Sequence, residues 1–168
     1  MGDLGKPISN QRLAEIFLEL QEKGAANINL VTPTHYIPQI RDALILSKKQ
    51  GLTLPIVYNT SSYESPASLS LLDGLIDIYL PDLKYYSQEL SREYSHTDDY
   101  FQVATTAISE MYRQVGTPIF DNTTGLMKRG MIVRHLLLPD QSKDSKKILR
   151  YLYETYGDTI YISIMNQY

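Results

Sequence analysis

The chain has 168 residues, a formal net charge of −3, no cysteine and no continuous apolar run of 18 residues. This length suits a single domain and is too short for a closed eight-stranded β/α barrel, which takes about 250 residues. The composition gives no support for nucleic-acid binding and excludes disulfides and thiolate metal sites within these residues. It also predicts neither a membrane span nor a signal peptide, so we expect a cytoplasmic protein.

Helix-like stretches alternate with short apolar runs along the chain. Apolar residues at helical spacing, bounded by capping residues and glycines, predict helices at residues 9–24, 37–51, 65–74, 97–116 and 144–156. Short apolar runs that end in turn residues predict strands at residues 28–32, 56–60, 76–84, 131–139 and 160–167. Residues 84–96 are predicted to form an irregular or helical loop, and residues 117–130 a loop with room for a short hairpin.

This alternation is typical of an α/β protein whose parallel strands are joined by crossover helices. About five β/α units are present, too few for a closed eight-stranded barrel. No strand is predicted before the first helix, and the last predicted strand has no helix after it to cover it. We therefore expect a fragment that lacks a segment at each end.

Charged residues follow the third predicted strand and interrupt the fourth. Asp82 and Lys84 project toward the same side and could bind a charged ligand or a cation, but a weak surface ion pair is the structural alternative. Arg134 lies inside an apolar run and offers a bidentate fork for a carboxylate. Its structural alternative is an ion pair with Asp82 or Asp77. His135 points to the other face and is predicted to pack against the helices.

Hydroxyl and amide side chains end the first two predicted strands. Thr32 and Thr34 could hold an amine or a carboxylate of a ligand, with the N-terminus of the following helix favouring an anion. A simple capping turn explains the same residues equally well. Asn59 and Thr60 supply oxygen ligands that suit a hard cation or ribose hydroxyls, although polar turns are also common without function.

Three runs of sequence resemble one family closely. They are Asn29–Tyr36 (NLVTPTHY), Ile78–Tyr85 (IYLPDLKY) and Lys128–Leu136 (KRGMIVRHL). Over essentially its whole length, the chain is similar to members of the radical S-adenosylmethionine (SAM) superfamily that resemble pyruvate formate-lyase activating enzyme. The resemblance implies a partial (β/α)6 TIM-like barrel, with residues 1–168 forming one domain that supplies strands two to six.

The same resemblance implies the cofactors and partners of the full-length protein. A missing first strand and its loop would carry the motif CxxxCxxC, which ligates a [4Fe–4S] cluster, and a reductant such as flavodoxin or ferredoxin would supply an electron. SAM would then be cleaved to a 5′-deoxyadenosyl radical, which abstracts hydrogen, in the activating enzymes from a glycine of a partner protein. The chain by itself is expected to be inactive and at best a weak SAM binder.

The family's SAM-binding roles fall on the residues already named. Arg134 matches an arginine that contacts the SAM carboxylate, and Asp82 matches an aspartate near a monovalent cation and that carboxylate, with Lys84 in the same turn. Asn59 and Thr60 stand at an Asp-Thr pair. Thr32, Pro33 and Thr34 stand where the family has Gly-Gly-Glu to hold the SAM amino group, which is a departure from its pattern.

Two other functions remain open from the sequence. In a Schiff-base, aldolase-like barrel, Lys84 would be the nucleophile. In a non-catalytic half-barrel, the open sheet edges would associate with a partner chain.

Overall fold

A mostly parallel six-stranded sheet with helices forms the fold, seen in a computed structural model that describes residues 6–166. Residues 1–5, 167 and 168 of the predicted domain lie outside the described part. The last residue of the fifth predicted strand, at position 167, is among them. The helices are α1 (Asn10–Glu22), α2 (Ile37–Lys49), α3 (Pro66–Ser70), α4 (Gln88–Ser95), α5 (Tyr100–Val115) and α6 (Ser142–Tyr156). The strands are β1 (Ile28–Val31), β2 (Ile56–Thr60), β3 (Ile78–Pro81), β4 (Ile119–Phe120), β5 (Met127–Leu136) and β6 (Tyr161–Met165).

The parallel strands follow the order β1-β2-β3-β5-β6, and β4 adds an antiparallel pair to the start of β5. Each parallel neighbour is reached through at least one helix, as β/α connections require. Within residues 6–166, β1 and β6 are not paired with each other, so the sheet is open. The α/β class predicted from the sequence is thus present, as an open sheet.

Local sequence signals explain where the helices start and stop. Ser9 caps α1, its hydroxyl accepting a hydrogen bond from the Arg12 N–H at 3.1 Å. Ser87 caps α4 in the same way through the Leu90 N–H. This cap makes residues 88–95 a regular helix within the segment that was predicted to be irregular or helical.

The hydrophobic core covers one face of the sheet. Alternate strand residues enter it, which follows from the two-residue period of a strand; they are Ile28, Ile56, Tyr58, Tyr79, Met131 and Val133. Val57 and Ile78 are buried but lie outside this core, on the opposite face. We call that opposite face, which also carries Asn59 and Arg134, the open face.

The segment 117–130 is more regular than a loop. Ile119 and Phe120 pair with Arg129 and Met127 of β5, so the short hairpin is present. β5 therefore begins four residues before the predicted start at residue 131, and it ends at Leu136 rather than at residue 139. The apolar pattern of the sequence does not mark this start, because Lys128 and Arg129 are charged and exposed to solvent.

Among the helices described, none has the length and apolar character needed to cross a bilayer.

Candidate ligand-binding site

Three strand ends bring Asn59, Asp82 and Arg134 into contact on the open face. Arg134 donates to Asp82 Oδ1 from Nε at 2.8 Å, and its Nη2 lies 2.6 Å from the same oxygen. Nη2 also donates to the Asn59 Oδ1 at 2.7 Å. The ion pair between Arg134 and Asp82 that the sequence offered as an alternative is therefore present, and Asn59 joins it.

Backbone pairing fixes the two strands that carry this ion pair. Asp82 and Arg134 form an isolated parallel bridge beyond the end of β3. The Leu83 N–H donates to the Arg134 carbonyl at 2.9 Å, and the Asp82 N–H donates to the Thr60 carbonyl at 2.9 Å. The positions of the Asp82 and Arg134 side chains are thus set by the sheet rather than by a mobile loop.

Two buried side chains hold the turn at residues 82–84 from the other side. The Tyr100 hydroxyl accepts from the Lys84 N–H at 3.2 Å and lies 3.0 Å from the carbonyls of both Ser61 and Asp82, to one of which it donates. Burial raises the pKa of Tyr100, which keeps the hydroxyl protonated as a donor. His135 is buried, as predicted, and its Nδ1 lies 2.7 Å from the Leu83 carbonyl, to which it donates.

A small cavity of about 240 Å³ opens at this ion pair. It is lined by Asp82, Lys84, Arg134, Leu136 and Met165. The Lys84 Nζ lies 3.9 Å from Asp82 Oδ2, a loose contact that leaves the ammonium available. Two cations and one carboxylate give the cavity a net positive charge, with an apolar wall beside it.

Arg134 retains hydrogen-bonding capacity toward this cavity. Its Nε and Nη2 are engaged, but no hydrogen bond from its Nη1 is found within residues 6–166. The side chain is 25% exposed, so the free edge of the guanidinium is reachable by a ligand. An anion with planar oxygens, such as a carboxylate, matches this edge and the neighbouring ammonium of Lys84.

Thr60 is not brought to this site. Its side chain is buried on the core side of the sheet and donates a hydrogen bond to Glu64, which also accepts from the Tyr58 hydroxyl at 2.7 Å. Thr60 contributes only its backbone carbonyl, which accepts from the Asp82 N–H. The alternation of Ile56, Tyr58 and Thr60 along β2 places all three on the core side.

Thr32 and Thr34 lie beside β2 rather than in the cavity. Thr32 is exposed with a positive φ of 51°, and its N–H donates to the Asn59 carbonyl at 2.9 Å. Thr34 is half-buried and starts a 3₁₀ turn that leads into α2. Thr32 lines a separate groove of about 890 Å³ between the start of α1 and β1. The structure therefore joins Asn59, Asp82, Lys84 and Arg134, and leaves both threonines at the neighbouring strand end.

The donors present do not fit an iron–sulfur cluster. The sequence contains no cysteine, and within residues 6–166 no group of three or more His, Asp or Glu side chains is arranged to hold a metal ion. A cluster would need thiolate ligands from outside this chain.

Comparison with known proteins adds a distant relative. An uncharacterized protein of Methanocaldococcus jannaschii is 24% identical over 165 residues. The match covers 96% of this chain and 43% of that protein, so the chain spans less than half the length of this relative. Because the relative has no assigned activity, the similarity assigns none to this chain. No protein-family model matches the sequence.

Proposed function

We propose that this chain is part of a radical SAM enzyme and that its cavity binds the carboxylate of the SAM methionyl group. In this proposal the open sheet is part of a (β/α)6 barrel, and residues beyond the chain complete it. One observation carries the proposal: Arg134, Asp82 and Asn59 meet at the carboxyl ends of adjacent parallel strands, and Arg134 lines a cavity together with Lys84. Two of the runs that resemble the family contain Asp82 and Arg134.

Each side chain then has a specific task. Arg134 binds one carboxylate oxygen through Nη1, while Asp82 and Asn59 hold its guanidinium in place. Lys84 adds a second cation at the same cavity. Leu136 and Met165 provide the apolar wall against which the methylene groups of the ligand pack.

The remaining chemistry belongs to the longer protein. A [4Fe–4S] cluster held by residues outside this chain would supply the electron for reductive cleavage of SAM, because the chain has no cysteine to hold it. We include in the proposal a reductant such as flavodoxin or ferredoxin, and a protein substrate similar to a glycyl radical enzyme. No step of that reaction is assigned to residues 6–166.

Binding measurements on the chain itself test the carboxylate site. We expect weak binding of SAM and S-adenosylhomocysteine by calorimetry or ligand-observed NMR, and weaker binding of methylthioadenosine, which lacks the amino-acid portion. Arg134→Gln should weaken SAM binding about tenfold to a hundredfold, the magnitude of a hydrogen bond to a charged group. Arg41→Gln is the matched control, because Arg41 is exposed on α2 and its one ion-pair partner within residues 6–166 is its neighbour Asp42.

Two results would overturn this assignment. One is equal affinity of the folded Arg134→Gln variant and the original chain for SAM. The other is equal affinity of the original chain for SAM and methylthioadenosine.

The Schiff-base alternative has less support from the geometry. A Schiff-base lysine is usually activated by an apolar pocket that removes it from water. The Lys84 side chain is instead 34% exposed, and its Nζ lies 3.9 Å from the Asp82 carboxylate. Borohydride trapping of an aldehyde or ketone on Lys84, detected by mass spectrometry and absent in Lys84→Arg, would revive that function. We expect no specific trapping at this residue.

A further inference from the structure

The exposed side of α6 carries four cations in one row. Lys143, Lys146, Lys147 and Arg150 follow the spacing i, i+3, i+4 and i+7, which places them on one helix face, and all four are exposed. We call this row the basic stripe. Without these four residues the formal net charge of the chain would be −7 instead of −3. The stripe is therefore a local positive region on an acidic protein.

The basic stripe is not neutralised within the described residues. None of its members forms a salt bridge there, and Arg150 makes no hydrogen bond. Helix α6 contains two acids. Asp144 is buried and accepts from the backbone N–H groups of Tyr86 and Ser87 at 2.8 Å each. Glu154 is exposed four residues after Arg150 on the same face, but the two side chains form no salt bridge within the described residues, so one acid stands against four cations on this face.

Other arginines of the chain are engaged. Carboxylates are the partners of Arg12, Arg41, Arg92, Arg113 and Arg134, and backbone carbonyls are the partners of Arg129. Arg150 therefore differs from the other arginines of the chain, which each have a carboxylate or carbonyl partner.

This arrangement opposes helix stability. Like charges three or four residues apart repel, and the basic stripe contains four such pairs. Lys143 also lies in the first turn, where the positive end of the helix dipole disfavours a cation. The basic stripe lowers helix stability and makes no contact within residues 6–166 that the fold requires. We therefore infer that it serves to bind another molecule.

We propose that the basic stripe is the docking surface for a partner protein that presents a patch of Asp and Glu side chains. Charge complementarity argues for the acidic partner. Tyr153, 69% exposed, continues the stripe, and Tyr86 lies under the Lys147 ammonium at 5.2 Å from the ring centroid. Tyrosine and arginine are enriched at protein interfaces.

A folded protein suits this surface better than a long polyanion. An extended nucleic acid or an anionic membrane would also meet the acidic remainder of the chain, which repels it. A compact acidic patch would contact the stripe alone. Salt screens its repulsion by the acidic residues elsewhere on the chain beyond about 10 Å.

The stripe also begins near the candidate ligand site. α6 starts after the carboxyl end of β5, and Asp144 anchors it to the backbone of residues 86 and 87, which follow the turn at residues 82–84. A partner on the stripe would therefore lie at the same end of the sheet as the cavity. The docking proposal does not depend on what the cavity binds.

A short glutamate-rich peptide is the probe for this surface. In a fluorescence titration at low salt we expect it to bind, to shift NMR signals of α6 residues, and to dissociate as salt is raised. Replacing Lys143 and Lys146 together by glutamate should weaken binding at least about tenfold, since two attractions become repulsions. The same change should raise Tm, because the new glutamates pair with Lys147 and Arg150.

A charge-matched variant controls for net charge. Lys23→Glu with Lys49→Glu changes the net charge by the same amount and should leave peptide binding intact, because Lys23 directly follows α1 and Lys49 ends α2, and both are exposed away from α6 in the sequence. Equal loss in both double variants, or peptide-induced NMR shifts outside α6, would refute the docking surface. Tighter binding of a short DNA duplex, or of phosphatidylserine-containing vesicles, at the stripe would refute a protein partner.

Discussion

Replacing Tyr100 with phenylalanine tests whether its hydroxyl stabilises the turn at residues 82–84. The ring would keep its packing, stacked on Tyr63 and edge-on to Tyr85, so only the hydroxyl is lost. That loss leaves the Lys84 N–H without its partner, together with the Ser61 or Asp82 carbonyl. A buried donor left unsatisfied costs about 1–3 kcal/mol. Because the Lys84 N–H is part-buried, we expect the free energy of unfolding to drop by about 1 kcal/mol, the lower end of this range.

Urea denaturation followed by circular dichroism measures this drop. Tyr153→Phe is the control, because Tyr153 is 69% exposed and its hydroxyl has no hydrogen bond among the described residues; its effect should stay within about 0.5 kcal/mol. Tyr100→Phe should also weaken SAM binding, since the turn that carries Asp82 and Lys84 loses support. A loss of stability no larger than the control's would refute the role given to the hydroxyl.

Further predictions concern a glycine and a carboxylate. Gly130→Ala should destabilise the fold more than Gly125→Ala. Both glycines have a positive φ, but of the two only a Cβ at residue 130 would meet backbone, the Pro118 Cα at 2.9 Å. Thermal unfolding compares the two variants, and equal losses of stability would contradict the clash. A hydrogen bond from Arg113 lowers the pKa of Glu110, so its stabilisation is present at neutral pH and is lost as the pH falls below about 4. Glu110→Gln should therefore flatten the acid side of the stability curve, and an unchanged curve would contradict this.

The order of helices and parallel strands along the chain could be predicted, because each type of element has its own hydrophobic periodicity. The carboxyl-end position of Asp82 and Arg134 followed from the same pattern. The start of β5 at Met127 could not be placed, since exposed charged residues in a two-stranded ribbon carry no burial signal.

The side of the sheet on which Thr60 lies could have been predicted from the sequence. Thr60 follows the two-residue period of Ile56 and Tyr58 along β2, so it belongs on the core side and not at the site where it was predicted. Two other features of the site needed the fold. Tyr100 contacts residues 16 to 39 positions away in the sequence, and no local pattern predicts such contacts. Asn59 reaches Arg134 across β3, a contact of 75 positions, for the same reason.

Reading the coding sequence immediately upstream of Met1 tests the central claim most directly. The proposed function predicts an in-frame segment with the spacing CxxxCxxC, able to supply the cluster ligands that this chain lacks. The protein that includes it, reconstituted anaerobically, should then cleave SAM reductively. An in-frame stop codon directly before Met1 would contradict the proposal, because no cysteine in the chain could then hold the cluster.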